Sequence, residues 1–123
     1  MKNYKEREYS GAGPKQNSLN ATNYLYLIMR FIVRAKFPTE AGNKMVKDPN
    51  YLKDLENYMN NVKPEASYFF EADGKRVNVF VVEMQNSDQM PMFAEPLFQW
   101  GAEVEFHPVM NFDDLKKAVS AFK

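Results

Sequence analysis

The segment that most constrains this chain is Val77 to Met84, an apolar strand that is oily on both faces. Side chains alternate across a strand, so Val77, Val79 and Val81 point one way and Phe80, Val82 and Met84 the other. A sheet backed by helices on one side needs a single apolar face. Two apolar faces call for a second cover, and in a chain of 123 residues, enough for one ordinary core, that cover is expected to be another copy of the protein.

Composition narrows the functional classes. Sixteen basic residues balance sixteen acidic ones, so no net field draws the chain to nucleic acid or to an anionic membrane. The absence of cysteine removes disulfides, thiolate metal sites, iron–sulfur clusters and a cysteine nucleophile together. The apolar run from Leu25 stops at Arg30, far short of the roughly 18 residues a membrane span needs, and no signal-peptide cleavage pattern follows it. These features point to a soluble, unexported, cytoplasmic protein.

Residues 1–23 are rich in Lys, Glu, Gly, Asn and Ser and poor in large aliphatics, the composition of a disordered tail, leaving 24–123 as one domain. Gly11 and Gly13 lack the preceding strand that a phosphate loop requires, and Met29, directly before the first strand, invites the reading of an alternative start. From there Arg30 to Phe37 alternates as a strand, with Phe31, Val33, Ala35 and Phe37 on one face and Arg30, Ile32, Arg34 and Lys36 on the other. Thr39 to Val46 reads as a short helical turn. Tyr51, Leu52, Leu55, Tyr58, Met59 and Val62 form the stripe of an amphipathic helix that Pro64 stops.

Ser67 to Glu71 is an aromatic strand, joined to the next through Asp73-Gly74, which tolerate the positive φ of a tight hairpin. Asn86 or Ser87 caps a helix carrying Met90, Phe93, Ala94 and Leu97, expected to be bent or short because of Pro96. Met84, Met90, Met92, Phe93, Phe98 and Trp100 are expected to pack together as core around it. Gly101 closes the helix and Ala102 to Val109 alternates as a fourth strand. Asn111 with Asp114 begins a last helix, with Met110 set to staple against Leu115 and with Phe112, Leu115, Val119 and Phe122 on one face.

The order of elements is that of an α+β, ferredoxin-like βαββαβ sandwich with an antiparallel sheet and an extra C-terminal helix. On Met29-Arg30-Phe31-Ile32-Val33, Tyr68-Phe69-Phe70, Val79-Phe80-Val81-Val82, Glu95-Pro96-Leu97-Phe98 and Val104-Glu105-Phe106-His107-Pro108-Val109, the chain resembles small members of the dimeric α/β-barrel superfamily. The resemblance implies a homodimer whose bare sheet faces close on each other, with relatives among small isomerases and monooxygenases. An RNA-recognition domain shares the topology but resembles its kin through a glycine and paired aromatics on the third strand, and Lys75 to Val82 has neither.

Candidate chemistry centres on the two strands that this fold makes neighbours. Arg30 and Arg34 on the first strand would face Glu103, Glu105 and His107 on the fourth, a cross-strand charge ladder. In its bland form the ladder neutralises itself. In its sharper form, burial at a dimer seam turns Arg30 and Arg34 into a clamp for a small organic carboxylate or enolate. Phe80, Val82 and Met84 would then be the apolar walls, and His107 an acid or base oriented by Glu105 or Glu103. One histidine among scattered carboxylates lacks metal-site spacing, and no cofactor motif occurs in the chain. The alternative is a non-catalytic dimerisation or scaffolding module.

Overall fold

A computed structural model describes residues 28–122. The tail assigned to residues 1–23, its Gly11 and Gly13, and residues 24–27 lie outside that range. Four strands form one antiparallel sheet in the order β2-β3-β1-β4, built from β1 (Met29–Phe37), β2 (Ala66–Ala72), β3 (Lys75–Met84) and β4 (Glu103–Pro108). The first and third strands are therefore central, as expected. Helices α1 (Thr39–Lys47) and α2 (Tyr51–Val62) connect β1 to β2, α3 (Met90–Gln99) connects β3 to β4, and α4 (Phe112–Ser120) follows β4.

Local chemistry sets most boundaries. Asp73 at φ 55° and Gly74 at φ 74° both occupy the left-handed region that a two-residue hairpin demands. The register that follows pairs Tyr68 with Val79 and Phe70 with Val77. Lys63 takes φ 50° to end α2 before Pro64, its N–H donating to the Met59 carbonyl at 2.8 Å. Pro96 does not break α3, which runs for ten residues. Its ring lies on the solvent side, where the Met92 carbonyl that loses its donor can be hydrated.

The register decides which face each side chain takes. Val33 lies opposite Phe80 and Phe106, and Ala35 opposite Asn78 and Val104, so these residues share the face beneath the helices. There they meet Met45 of α1, Leu55, Tyr58 and Val62 of α2, and Phe93 and Leu97 of α3 in a single core. Tyr58 ties the layers together: its ring meets Phe80 edge-on at 5.1 Å and its hydroxyl donates to the Phe93 carbonyl at 2.8 Å. Burial pushes the Tyr58 phenol up from its ordinary pKa, so it remains a neutral donor. Asn78 is the exception in this layer, a buried carboxamide whose Nδ2 finds no hydrogen-bond partner.

Two packing expectations are corrected. Leu52 is exposed, because α2 turns Tyr51, Leu55 and Tyr58 inward, with Tyr51 held edge-on to Trp100 at 5.9 Å. Of the methionine and aromatic cluster, Met84 and Phe93 are buried, whereas Met90, Met92 and Phe98 lie on the outer side of α3 and are exposed.

The last helix behaves differently. Its start matches the expected chemistry: Asp114 N–H donates to Asn111 Oδ1 at 2.8 Å, and Asn111 N–H donates to Asp114 Oδ2 at 3.1 Å. Yet α4 has no buried residue and makes no more than marginal contact with any other described element. Met110 and Leu115, expected to staple across that start, are both exposed.

Candidate functional site

The face of the sheet turned away from α1, α2 and α3 carries Arg30, Ile32, Arg34 and Lys36 from β1, Val77, Val79, Val81 and Glu83 from β3, and Glu103, Glu105 and His107 from β4. From β2 the same face takes Ala66, Tyr68 and Phe70. Ile32, Val79 and Val81 are half-buried and Tyr68 and Phe70 are exposed, an apolar strip running across three strands.

Beside that strip the register sets Ile32 opposite His107, Arg34 opposite Glu105 and Lys36 opposite Glu103. Glu105 stands between two cationic or potentially cationic groups: His107 Nε2 lies 2.8 Å from Oε1, and Arg34 Nη1 lies 3.8 Å from Oε2. The hydrogen bond with His107, with help from the Arg34 charge, holds the Glu105 carboxyl below its ordinary pKa. Of the two carboxylates expected near His107, Glu105 is the one within hydrogen-bond distance, with Arg34 on its other side. A dyad of this kind fixes which imidazole nitrogen is engaged and leaves the other to meet a ligand.

Two other assignments change. Arg30 is not a partner of β4; its guanidinium reaches across β3 to Glu65, with Nε donating to Oε1 at 2.6 Å and Nη2 to Oε2 at 3.1 Å. Glu83 and Asp114 add their charges around it, so Arg30 is already surrounded by carboxylates and is a poor anion clamp. Phe80, Val82 and Met84 lie on the helix side, buried in the core, and do not meet Arg34 or His107. The apolar neighbours that the ladder does have, Val79 and Val81, come from the other set on the same strand. Lys36 Nζ is 3.6 Å from Asp73 Oδ2, a contact that depends on the hairpin and has no signal in the strand pattern.

The Arg30–Glu65 fork joins β1 to the residue just before β2. Hydrogen bonding to Arg30 holds the Glu65 carboxyl below its ordinary value of 4.5. A lowered folded pKa means that the unfolded chain takes up the proton first as the pH falls. The contribution is therefore complete above pH 4.5 and is lost as the pH drops through the folded value. Both side chains are about a third exposed, which limits the pair to about 1 kcal/mol or less. In urea titrations across acid pH, the stability difference between the parent and Glu65→Gln should shrink toward zero below that window.

Among the described residues no group of three or more His, Asp or Glu side chains is placed to hold a metal ion, and no helix is long and apolar enough to cross a membrane. The chain matches no family model, no curated protein and no solved structure.

Proposed function

We propose that the chain acts as a homodimer whose two open sheet faces close on each other, as in the dimeric α/β-barrel superfamily, and enclose a small, partly apolar organic anion. The strand order with β1 and β3 central and three helices on one face supports the ferredoxin-like arrangement that this superfamily uses. The observation that carries the reading is the apolar strip of Ile32, Val79 and Val81 lying alongside the Arg34–Glu105–His107 row. A lone open face would leave that strip wet, and closure both shelters it and lowers the dielectric around the row.

In the closed dimer Arg34 binds the carboxylate or enolate of the ligand. His107, oriented by Glu105, gives or takes a proton at the atom held against the strip, and Glu103 tunes the field one register pair away. This is cofactor-independent chemistry of the kind that small isomerases and monooxygenases of the superfamily perform. A non-catalytic dimerisation module is the second reading. It is favoured by the pairing of Arg30 with Glu65, Arg34 with Glu105 and Lys36 with Asp73, a pattern that already neutralises the face within one chain.

Light scattering of the full chain at high concentration tests the shared premise, and a dimer is expected. Val81→Lys should weaken association by roughly 100-fold or more, since the two-fold axis buries the unpaired ammonium twice, while far-UV circular dichroism stays unchanged. Native mass spectrometry and a panel of aromatic and aliphatic carboxylates then separate the two readings. Retention of an anion that Arg34→Ala abolishes supports the pocket; a dimer that binds no member of the panel favours the scaffold. A parent chain that stays monomeric overturns both.

A further inference from the structure

Arg30, Arg34 and Lys36 each lie against a carboxylate, whereas Arg76 on β3 does not. Its Nη1 donates to the neutral Asn43 Oδ1 at 3.1 Å, and no carboxylate of a described residue stands within ion-pair distance of it. Gly42 makes the room: a Cβ there would stand 2.8 Å from Nη1 and 3.3 Å from Cδ of Arg76. The glycine notch and Asn43, both on α1, thus hold an exposed guanidinium that still has donors to offer.

Two residues along the same face of β3 stands Asn78. It is 4% exposed and lies opposite Ala35 and Phe69, neither of which carries a side-chain acceptor, and its Nδ2 is without a partner. Buried polar groups are nearly always paired, so a bare carboxamide in this layer serves something other than packing, for which leucine would be the better residue. Arg76 and Asn78 line one open cleft of about 290 Å³, together with Met45 of α1, Leu52 and Leu55 of α2 and Phe69 of β2. Met45 and Leu55 are buried and Leu52 and Phe69 are largely exposed, so the apolar wall runs from the core to the surface.

At roughly 30 Å³ per water-sized group, the cleft has space for about ten non-hydrogen atoms. A cation, a bare amide donor two residues away and apolar walls together specify the chemistry of the occupant. We infer that the cleft is a second binding site, for a small monocarboxylate with an apolar tail. One carboxylate oxygen sits on the Arg76 guanidinium, the other accepts from Asn78 Nδ2, and the tail lies along Leu52, Leu55 and Phe69. Nδ2 is closed off from solvent, and a turn about the last side-chain torsion of Asn78, which is soft, brings it to the ligand. This site is built within one chain on the helix side of the sheet, so it goes beyond the Arg34 row and does not depend on the homodimer.

Octanoate and 3-phenylpropanoate are carboxylates of this size, one with a linear tail and one with an aromatic tail. Each is titrated into isotope-enriched full-length chain and followed through methyl and side-chain amide NMR signals. At least one of them should shift the Met45, Leu52 and Leu55 methyls and the Asn78 side-chain amide pair. Arg76→Gln and Asn78→Leu should each weaken that binding at least about tenfold. Asn78→Leu should also raise the urea midpoint, which separates lost binding from lost folding. Shifts confined to the Ile32, Val79 and Val81 methyls would put the carboxylate on the open face and overturn this site while the proposed function stands. No shift with either probe at millimolar concentration, which leaves the carboxamide to water, overturns it, as does undiminished binding in either variant. A parent chain that is monomeric yet shows the cleft shifts supports the site while the homodimer falls.

Discussion

Phe80→Ala is expected to destabilise the domain by about 3–5 kcal/mol, read as a fall in the urea midpoint at unchanged slope. Phe80 is fully buried and sits where the sheet meets two layers of aromatic packing: Tyr58 lies edge-on at 5.1 Å and Phe69 at 6.2 Å. Val33 of β1 and Ser67 of β2 flank it in the register, so the strands on either side cannot readily move in to fill the void. With total stabilities of domains at roughly 5–15 kcal/mol, this one truncation removes a large share of the reserve. Val79→Ala, one residue away on the open face, should cost far less in stability, and under the proposed homodimer it would appear instead in the dimer dissociation constant. A mild effect at Phe80 together with a severe one at Val79 would reverse the assignment of faces on which the candidate site depends.

Gly101→Ala should cost about 2–5 kcal/mol, for two separable reasons. Gly101 holds φ at +89°, a conformation that an L side chain adopts only under strain of roughly 1–2 kcal/mol. A Cβ there would also stand 2.7 Å from the Cβ of Ala41 on α1, an overlap that a packed backbone relieves only by shifting, at about 1–3 kcal/mol. The position lies between α3 and β4, so a shift would pass directly into the strand carrying Glu105 and His107. Combining Gly101→Ala with Ala41→Gly should recover the steric share, measured by thermal unfolding, but not the backbone share. Full recovery would mean that φ carries no strain, and none would mean that the contact with Ala41 is immaterial.

Legibility in the sequence followed the range of each interaction. The hairpin at Asp73-Gly74, the stop at Pro64 and the box formed by Asn111 and Asp114 depend on residues within one turn of each other, and each appears where the local pattern placed it. The alternation of β1 and β4 sufficed to bring Arg34, Glu105 and His107 together, because neighbouring antiparallel strands with a common inward face have few registers open to them. The partner of Arg30 is not legible in the strand pattern, because Glu65 lies two strands away and outside any strand, beyond what a pairing rule sees.

Strand β3 marks the boundary between the two kinds of information. Its two apolar faces were evident from alternation alone, since both sets are valine, phenylalanine or methionine and period two separates them without ambiguity. Which set lies under the helices was not evident, because a strand that is apolar on both sides has no amphipathic bias to orient it. Pairing with β1 decided that point, by placing Phe80 opposite Val33 and Val81 opposite Ile32. Sequence by itself thus determined that this chain builds an α+β sheet with a second apolar surface and a capped final helix. Only the tertiary structure decided that Val79 and Val81 form that surface beside His107 and that α4 leaves its stripe uncovered, because orientation is settled by contacts between segments far apart in the chain.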